Sequence, residues 1–126
     1  TPPPELLRFA HRQLRMARAE KPEVERRSEP RRYLVSPVVV QRVDGEQKPL
    51  GLPLAAVTRD LSESGVGLIF PSALTHDRLA IAFEVEGNDV CLLVEVHWRN
   101  QMGPFEYVGC RVIDMLESLP EGEVHA

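Results

Sequence analysis

The sequence contains no long apolar run. Of its 126 residues, 43% are hydrophobic and 27% are charged, and no stretch approaches the roughly 20 apolar residues that a membrane-spanning helix needs. Integral membrane proteins of that kind are therefore excluded. No apolar segment near the N-terminus indicates a secretory signal, so we expect a cytoplasmic protein with one compact domain. Because the chain begins with Thr1 and not with Met, we expect processing, an omitted start or a longer parent chain.

Cysteine and metal-binding patterns are scarce as well. The two cysteines, Cys91 and Cys110, are too few for a disulfide scaffold or a four-ligand zinc site, and we expect both to pack as small hydrophobic residues in strands. The four histidines show no metal-ligand spacing. A phosphate-binding glycine loop and a nucleophile elbow are also missing. We therefore predict no metal, no cofactor and no enzymatic activity.

Charge is distributed unevenly along the chain. The formal net charge is −4, but residues 1–32 contain nine basic and five acidic side chains, whereas residues 33–126 contain six basic and fourteen acidic ones. A basic N-terminal segment on an acidic body is typical of proteins with anionic partners. The alternative is that the basic segment lies across its own acidic domain.

The basic segment divides into a helix and a charged arm. Residues 5–19 lack Gly and Pro and are rich in helix formers. Apolar residues recur there at helical spacing, namely Leu6, Ala10, Leu14 and Ala17. We predict a basic amphipathic helix within a leader of residues 1–22, with three open roles: capping the body, forming a homodimer, or joining an upstream domain. Residues 23–33 are almost wholly charged, so they form a surface linker or a ligand arm.

Period-two patterns, which are typical of strands, begin at Leu34. The six predicted strands cover residues 34–43, 52–61, 65–70, 79–85, 90–98 and 106–113. Six short strands separated by turns indicate a mainly β fold, either an antiparallel barrel or a sandwich. We predict that this β domain spans residues 34–119, closes with a short turn or helix, and leaves a tail of residues 120–126.

Two of the predicted strands carry further local signals. Ser36-Pro37 in the first strand indicates an edge or a bulge, because proline cannot donate a ladder hydrogen bond. In the fifth strand Trp98 continues the alternation of Val94 and Val96. This alternation predicts that His97 lies on the solvated face.

Two short motifs carry the chemistry that the sequence does offer. The first is an Arg-x-x-x-Arg pattern from Arg27 to Arg31 in the charged arm, and the second is Asp60-x-Ser62-x-x-Gly65 at the turn between the second and third predicted strands. We expect Asp60 to lie at the surface of this turn. Guanidinium groups form forked bonds to phosphate and to the O6 and N7 atoms of guanine, and a carboxylate accepts from the N1–H and N2–H edge of guanine. Together the motifs predict a site for a guanine nucleotide. Taken singly, each has a plainer interpretation, a solvated charged linker and an Asx-type turn.

In this order and on this strand pattern, the two motifs resemble the PilZ domain family. The resemblance covers about residues 25–114 and includes Asp-Leu-Ser-Glu-Ser-Gly-Val-Gly-Leu after the second strand and Tyr-Val-Gly-Cys-Arg-Val-Ile-Asp in the last. It implies a six-stranded antiparallel barrel that binds the bacterial second messenger cyclic di-GMP without turning it over. It also implies that phosphate and guanine are gripped by Arg27 and Arg31. The guanine would be held by Asp60, Ser62 and Gly65.

The resemblance also bears on stoichiometry and output. In PilZ proteins an arginine just before the Arg-x-x-x-Arg pattern, here Arg26, is associated with binding a stacked ligand dimer. Arg26 and Arg32 would add positive charge that offsets the repulsion between phosphates. The plainer alternative is that Arg26 points into solvent and pairs with Glu23 or Glu25. PilZ domains act as receivers that reorient towards a partner protein or a fused domain, so we expect the arm and the helix to move when ligand binds.

Two other functions stay open at this point. Some PilZ-like domains are protein–protein interaction modules without nucleotide binding, although both motifs are intact here. The basic helix could instead bind nucleic acid or an anionic membrane surface. Phe9 is its one aromatic residue, so the helix lacks the stacking platforms of single-strand binders, and we expect no nucleic acid partner.

Overall fold

The computed structural model describes residues 2–19 and 32–120. This part of the chain contains one helix followed by seven strands. The elements are α1 (Pro4–Ala19), β1 (Arg32–Tyr33), β2 (Pro37–Arg42), β3 (Leu54–Leu61), β4 (Gly65–Phe70), β5 (Arg78–Val85), β6 (Asn88–Met102) and β7 (Phe105–Met115). Most of the predicted arm, residues 23–31, and the tail beyond Pro120 lie outside the described residues.

The strands form one antiparallel sheet that closes on itself. Their order is β1-β3-β2-β5-β6-β7-β4, and an additional pairing of β3 with β4 closes the sheet. Strands β2 to β7 thus make a six-stranded antiparallel barrel, which confirms the predicted fold. The two-residue β1 pairs with the C-terminal end of β3, and β2 pairs with its N-terminal half. The sequence does not predict β1, because its two exposed residues show no alternation and its pairing depends on β3.

The barrel interior is filled by apolar side chains that alternate along the strands. Fully buried members from β4 and β5 include Phe70, Leu68, Leu79 and Ile81. The predicted alternation in β5 is confirmed, since Leu79 and Ile81 point inward and Glu84 is exposed. Burying one side chain of this kind stabilises the fold by roughly 1.5–3 kcal/mol, so the interior is the main source of stability.

Three register shifts interrupt the strand ladders, one between β3 and β4 and two between β6 and β7. The pairing of β3 with β4 shifts between Thr58 and Asp60, and the pairing of β6 with β7 shifts between Val96 and Trp98. A bulge inserts one extra residue and redirects the side chains around it. Trp98 consequently lies on the outer face with 42% of its surface exposed, so the prediction that it continues the alternation of Val96 is wrong. His97 is exposed as predicted, and β6 continues beyond its predicted end.

Helix α1 forms where the sequence predicts it. Pro4 occupies the first turn, where its missing N–H is not needed, and the carbonyl of Pro3 accepts from the N–H groups of Leu6 (3.0 Å) and Leu7 (3.3 Å). The apolar stripe of the helix is narrow, with Leu6 and Ala10 completely buried. The cluster that these two residues join on the outside of the barrel also contains Val57, Ile69 and Tyr107.

The outer face of β5 and β6 is covered by the segment after β7. Leu116 and Leu119 pack there on a small buried cluster formed by Val43, Ala80 and Leu93. Residues 116–120 contain no helix, so the predicted closing element is a non-helical turn. The N–H of Leu116 fixes this turn by donating to the carbonyl of Cys91 (2.8 Å).

The docked position of α1 can be tested by truncating Leu6, a completely buried residue of the helix. Leu6→Ala should lower the free energy of unfolding by about 2–5 kcal/mol, because a buried leucine loses its packing and leaves a cavity. The matched control is Arg8→Ala, since that side chain is 71% exposed on the same helix and its loss should cost within about 0.5 kcal/mol. Urea denaturation of the three proteins measures both effects. Identical midpoints for Leu6→Ala and the parent would contradict the docked position.

Candidate functional site

Four residues line up across the outer face of four neighbouring strands. The register pairs Asp60 of β3 with Gly67 of β4, Gly67 with Gly109 of β7, and Gly109 with Trp98 of β6. A Cβ at Gly67 would overlap the carboxylate of Asp60, and a Cβ at Gly109 would overlap the ring of Trp98. We call these four residues the glycine row. The carboxylate of Asp60 lies directly over Gly67, and the ring of Trp98 lies directly over Gly109. A side chain at either glycine would prevent this close approach.

Asp60 is buried, with 5% of its surface exposed. The hydroxyl of Tyr107 donates a hydrogen bond to its Oδ2 atom at 2.7 Å. The sequence places Asp60 at a surface turn, and that interpretation is wrong, because the bulge after Thr58 keeps Asp60 within β3 and against Tyr107. A buried carboxylate costs much free energy unless it is hydrogen-bonded, and this bond supplies part of that compensation.

The ring of Tyr107 is contacted from several sides. Trp98 meets it edge-on, with ring centroids 4.8 Å apart at an interplanar angle of 86°, and the Arg59 guanidinium carbon lies 4.4 Å from its centroid. Burial, followed by the charge of Asp60 and the hydrogen bond to it, raises the pKa of Tyr107 from its ordinary value to about 12. The hydroxyl therefore stays protonated at neutral pH, and it can donate to Asp60.

Ser62 and Gly65 form a tight turn at the end of β3. The Gly65 N–H donates to Ser62 Oγ at 3.1 Å, and the Ser62 N–H donates to the Gly65 carbonyl at 2.9 Å. A Cβ at Gly65 would lie 3.0 Å from the carbonyl oxygen of Cys110, so the close approach of β7 favours glycine. Asp60, Ser62 and Gly65 thus lie at the same end of β3, Asp60 within the strand and the other two in the turn that follows it.

Of the predicted arginines, Arg32 is the one within the described residues. The register of β1 on β3 pairs Arg32 with Leu61 and Tyr33 with Asp60, so the end of the arm reaches the Asp60–Gly65 turn. The Arg32 guanidinium donates to Glu86 Oε1 at 2.5 Å and is exposed. Arg26, Arg27 and Arg31 lie outside the described residues, so their roles as ligand-binding residues stay predictions.

A second row of side chains beside the turn carries charge. Gly65 pairs with Arg111, Arg111 with Glu95, and Glu95 with Arg78 across β4, β7, β6 and β5. The carboxylate of Glu95 lies 3.5 Å from Arg78 and 3.7 Å from Arg111, and the imidazole of His97 lies 3.5 Å away. One carboxylate shared between two arginines leaves this row with excess positive charge beside the Ser62–Gly65 turn.

The sequence motifs did not identify Gly67, Gly109, Trp98 or Tyr107 as site residues. A signal was nevertheless present, since an isolated glycine inside a strand often marks a close approach of another group. Each glycine stands between two apolar residues of its strand. Finding their partners needed the strand register, because the residues that meet come from different strands and are between seven and forty positions apart in the chain.

Comparison with known proteins identifies the family of this chain. The family model of the PilZ domain matches residues 25–122. The chain belongs to the PilZ domain family. PilZ domains are receptor or binding modules and not enzymes. No curated protein matches the sequence.

Among solved structures, the chain is similar to the Bacillus subtilis inhibitor of motility MotI/DgrA. The TM-score is 0.58 at 12% sequence identity, and the match covers 77% of this chain and 49% of that protein. The chain therefore spans about half the length of this neighbour, and the likeness concerns the fold. Within residues 2–19 and 32–120, no helix is long and apolar enough to cross a membrane. The same residues contain no group of three or more His, Cys, Asp or Glu side chains that could hold a metal ion.

The close approach at Gly109 gives a prediction about Trp98. Gly109→Ala should push the indole off the outer face and lower the free energy of unfolding by about 1–3 kcal/mol, as overpacking does. Trp98 is the one tryptophan of the chain, so its fluorescence emission should shift to longer wavelength. Gly45→Ala is the matched control, because a Cβ at Gly45 meets no atom within 4 Å. An unchanged emission spectrum for Gly109→Ala would contradict the described packing.

The raised pKa of Tyr107 predicts a pH window for stability. Below pH ~10 the hydroxyl is protonated in both folded and unfolded chains, so its contribution to stability is fully present there. Between pH ~10 and the folded-state pKa of about 12, the unfolded chain loses the proton first, and stability falls. Tyr107→Phe should show a smaller loss of stability in this window, measured by urea midpoints. The chain has two tyrosines, so the difference in tyrosinate absorbance between the parent and Tyr107→Phe should isolate a titration near pH 12.

Proposed function

We propose that this chain is a receptor module for cyclic di-GMP. The observation that carries the proposal is the carboxylate of Asp60, held by Tyr107 beside the Ser62–Gly65 turn. Strand β1 leads from the arginine-rich arm to this same end of the barrel. Membership of the PilZ family supports the same function.

The chemistry of these groups fits a guanine nucleotide with phosphates. A carboxylate accepts two N–H donors of a guanine edge, and charge-assisted hydrogen bonds of this type are stronger than neutral ones. The Ser62 hydroxyl and the backbone at Gly65 can add contacts on the same side. Arg27 and Arg31 bind phosphate and guanine from the arm, and Arg32 adds charge at the end of β1. Two ligands bind as an intercalated dimer, with Arg26 offsetting the repulsion of their phosphates.

The signal passes from the site to the N-terminal segment. Helix α1 packs on the outer face that also carries Tyr107, so a ligand that binds the arm can reorient the arm and the helix towards an effector protein or a fused domain. This receptor acts in the bacterial cytoplasm, where the messenger is present. It needs no cofactor besides its ligand, and it does not convert the ligand.

Calorimetric titration with cyclic di-GMP tests the assignment. Arg31→Ala and Asp60→Asn should each weaken binding at least tenfold, because hydrogen bonds to charged groups contribute roughly 1.5–3 kcal/mol and 1.4 kcal/mol is a factor of about ten. Asn replaces Asp60 here because the side chain is buried and a truncation would leave a cavity. If the parent binds GTP and a random oligonucleotide as well as it binds cyclic di-GMP, the receptor assignment is wrong.

Two controls match these variants in charge. Lys48→Gln and Glu46→Gln each remove one charge from exposed side chains that pair with each other at 3.3 Å. They lie in the β2–β3 connection, at the opposite end of β3 from the Ser62–Gly65 turn. Both controls should bind like the parent. Equal losses in the controls and the site variants would show that net charge, and not the site, determines the affinity.

The stoichiometry is a separate prediction that rests on Arg26. Titration of the parent should saturate near two ligands per chain, and Arg26→Leu should bring this value towards one, because removing a cation leaves the phosphates of a stacked pair less neutralised. Circular dichroism of the free variant provides the control for folding. Saturation of the parent at one ligand would contradict the dimer and leave the receptor assignment standing.

A further inference from the structure

Tyr107 belongs to two different parts of the structure. Its ring packs in the outer apolar cluster with Leu6 and Ala10 of α1, and its hydroxyl donates to Asp60 at 2.7 Å. The same residue therefore belongs to the apolar cluster on which the helix docks and contacts the carboxylate that the proposed function assigns to ligand binding.

We propose that Tyr107 is the positioning residue for Asp60, and that docking of α1 on the apolar cluster that holds the Tyr107 ring sets how well the site binds. This inference rests on the proposed function, since it concerns the same carboxylate. It adds a residue outside the two sequence motifs and a physical route by which the helix regulates affinity.

The hydroxyl is suited to orienting the carboxylate. It bonds to one oxygen, Oδ2, while the other, Oδ1, lies against Gly67, where an added Cβ would overlap it. The Tyr107 hydroxyl oxygen itself would lie 2.8 Å from that Cβ. Both polar groups are thus confined over the same glycine, and rotation of the carboxylate would break the bond from Tyr107. An oriented acceptor binds more tightly, because less side-chain freedom is lost when the ligand arrives.

The position of the ring depends in turn on α1. Arg59 and Trp98 contact the ring directly, and the apolar cluster in which the ring is buried also contains Leu6 and Ala10 of α1. Both helix residues are completely buried, so undocking α1 opens this cluster and loosens the packing of the ring. A looser ring holds the hydroxyl, and therefore Asp60, less firmly. By thermodynamic linkage, ligand binding should favour the docked helix by the same factor.

The positioning role is tested first by removing the hydroxyl alone. Tyr107→Phe keeps the ring and should weaken cyclic di-GMP binding about tenfold, as loss of a hydrogen bond to a charged group does. In an Asp60→Asn background the same change should alter affinity less than twofold, because the carboxylate that it orients is already gone. A merely structural role would lower affinity by the same factor in both backgrounds.

The coupling between α1 and the site is tested by a second double-mutant cycle, which combines Leu6→Ala with Tyr107→Phe. Leu6→Ala should weaken binding about threefold to tenfold in the parent and leave it nearly unchanged in Tyr107→Phe, since coupled residues give non-additive effects. Arg8→Ala is the control on the exposed side of the helix and should not alter affinity. If Leu6→Ala fails to fold, Ala10→Gly makes a smaller change to the same contact. Without ligand, the emission of Trp98 should shift in Leu6→Ala, because the ring against which the indole lies has moved.

The outcomes distinguish loss of the proposed receptor function from loss of its regulation by Tyr107 and α1. A parent that does not bind cyclic di-GMP overturns the proposed function and, with it, the regulation of affinity inferred here. A parent that binds, together with Tyr107→Phe of equal affinity, overturns the positioning role and leaves the receptor standing. Additive effects of Leu6→Ala and Tyr107→Phe, with unchanged Trp98 emission in Leu6→Ala, overturn the link to the helix.

Discussion

The pairing of β3 with β4 is the interaction on which the rest of this structure depends. It closes the sheet into a barrel, so that the interior is sealed from water and no long strand edge in the barrel is left unpaired. Closure is achieved with a bulge between Thr58 and Asp60, because a closed sheet needs local twist that a regular ladder does not supply. The bulge places Asp60 on the outer face next to Gly67, and the turn that follows brings Ser62 and Gly65 beside it. The candidate site is thus a consequence of how the barrel closes.

The fold could be predicted from local patterns where a strand alternates regularly, as β5 does. Leu79, Ile81 and Phe83 form an apolar face of β5. This face is expected to be buried whichever strands lie beside β5. The same logic failed for Trp98, because one extra residue in β6 reverses the phase of the alternation. Strand β1 could not be predicted either, since two exposed residues form a strand by virtue of their partner. The sequence predicts a strand when the strand's own residues alternate between apolar and polar. It does not predict a strand, or the phase of its alternation, when these depend on the partner strand.

The site was predictable to the extent that it follows a contiguous motif. Asp60, Ser62 and Gly65 are close in sequence, and they lie in the last residues of β3 and in the turn that follows it. Tyr107 and Trp98 come from β7 and β6 and reach the site through strand register, which no spacing rule contains. The burial of Asp60 was missed for the same reason, because its hydroxyl partner lies 47 positions away. The ligand-binding roles of Arg26, Arg27 and Arg31 stay predictions.

The segment after β7 has a practical consequence for dissecting this protein. Leu116 and Leu119 cover Val43, Ala80 and Leu93 on the outside of the barrel. Neither of the two leucines belongs to a strand or a helix. A fragment trimmed to the last strand residue, Met115, would expose this second apolar surface to water while keeping every strand of the barrel. Contiguous apolar surface of this kind promotes self-association. The boundary of the folding unit is therefore set by side-chain coverage and not by the end of the last strand.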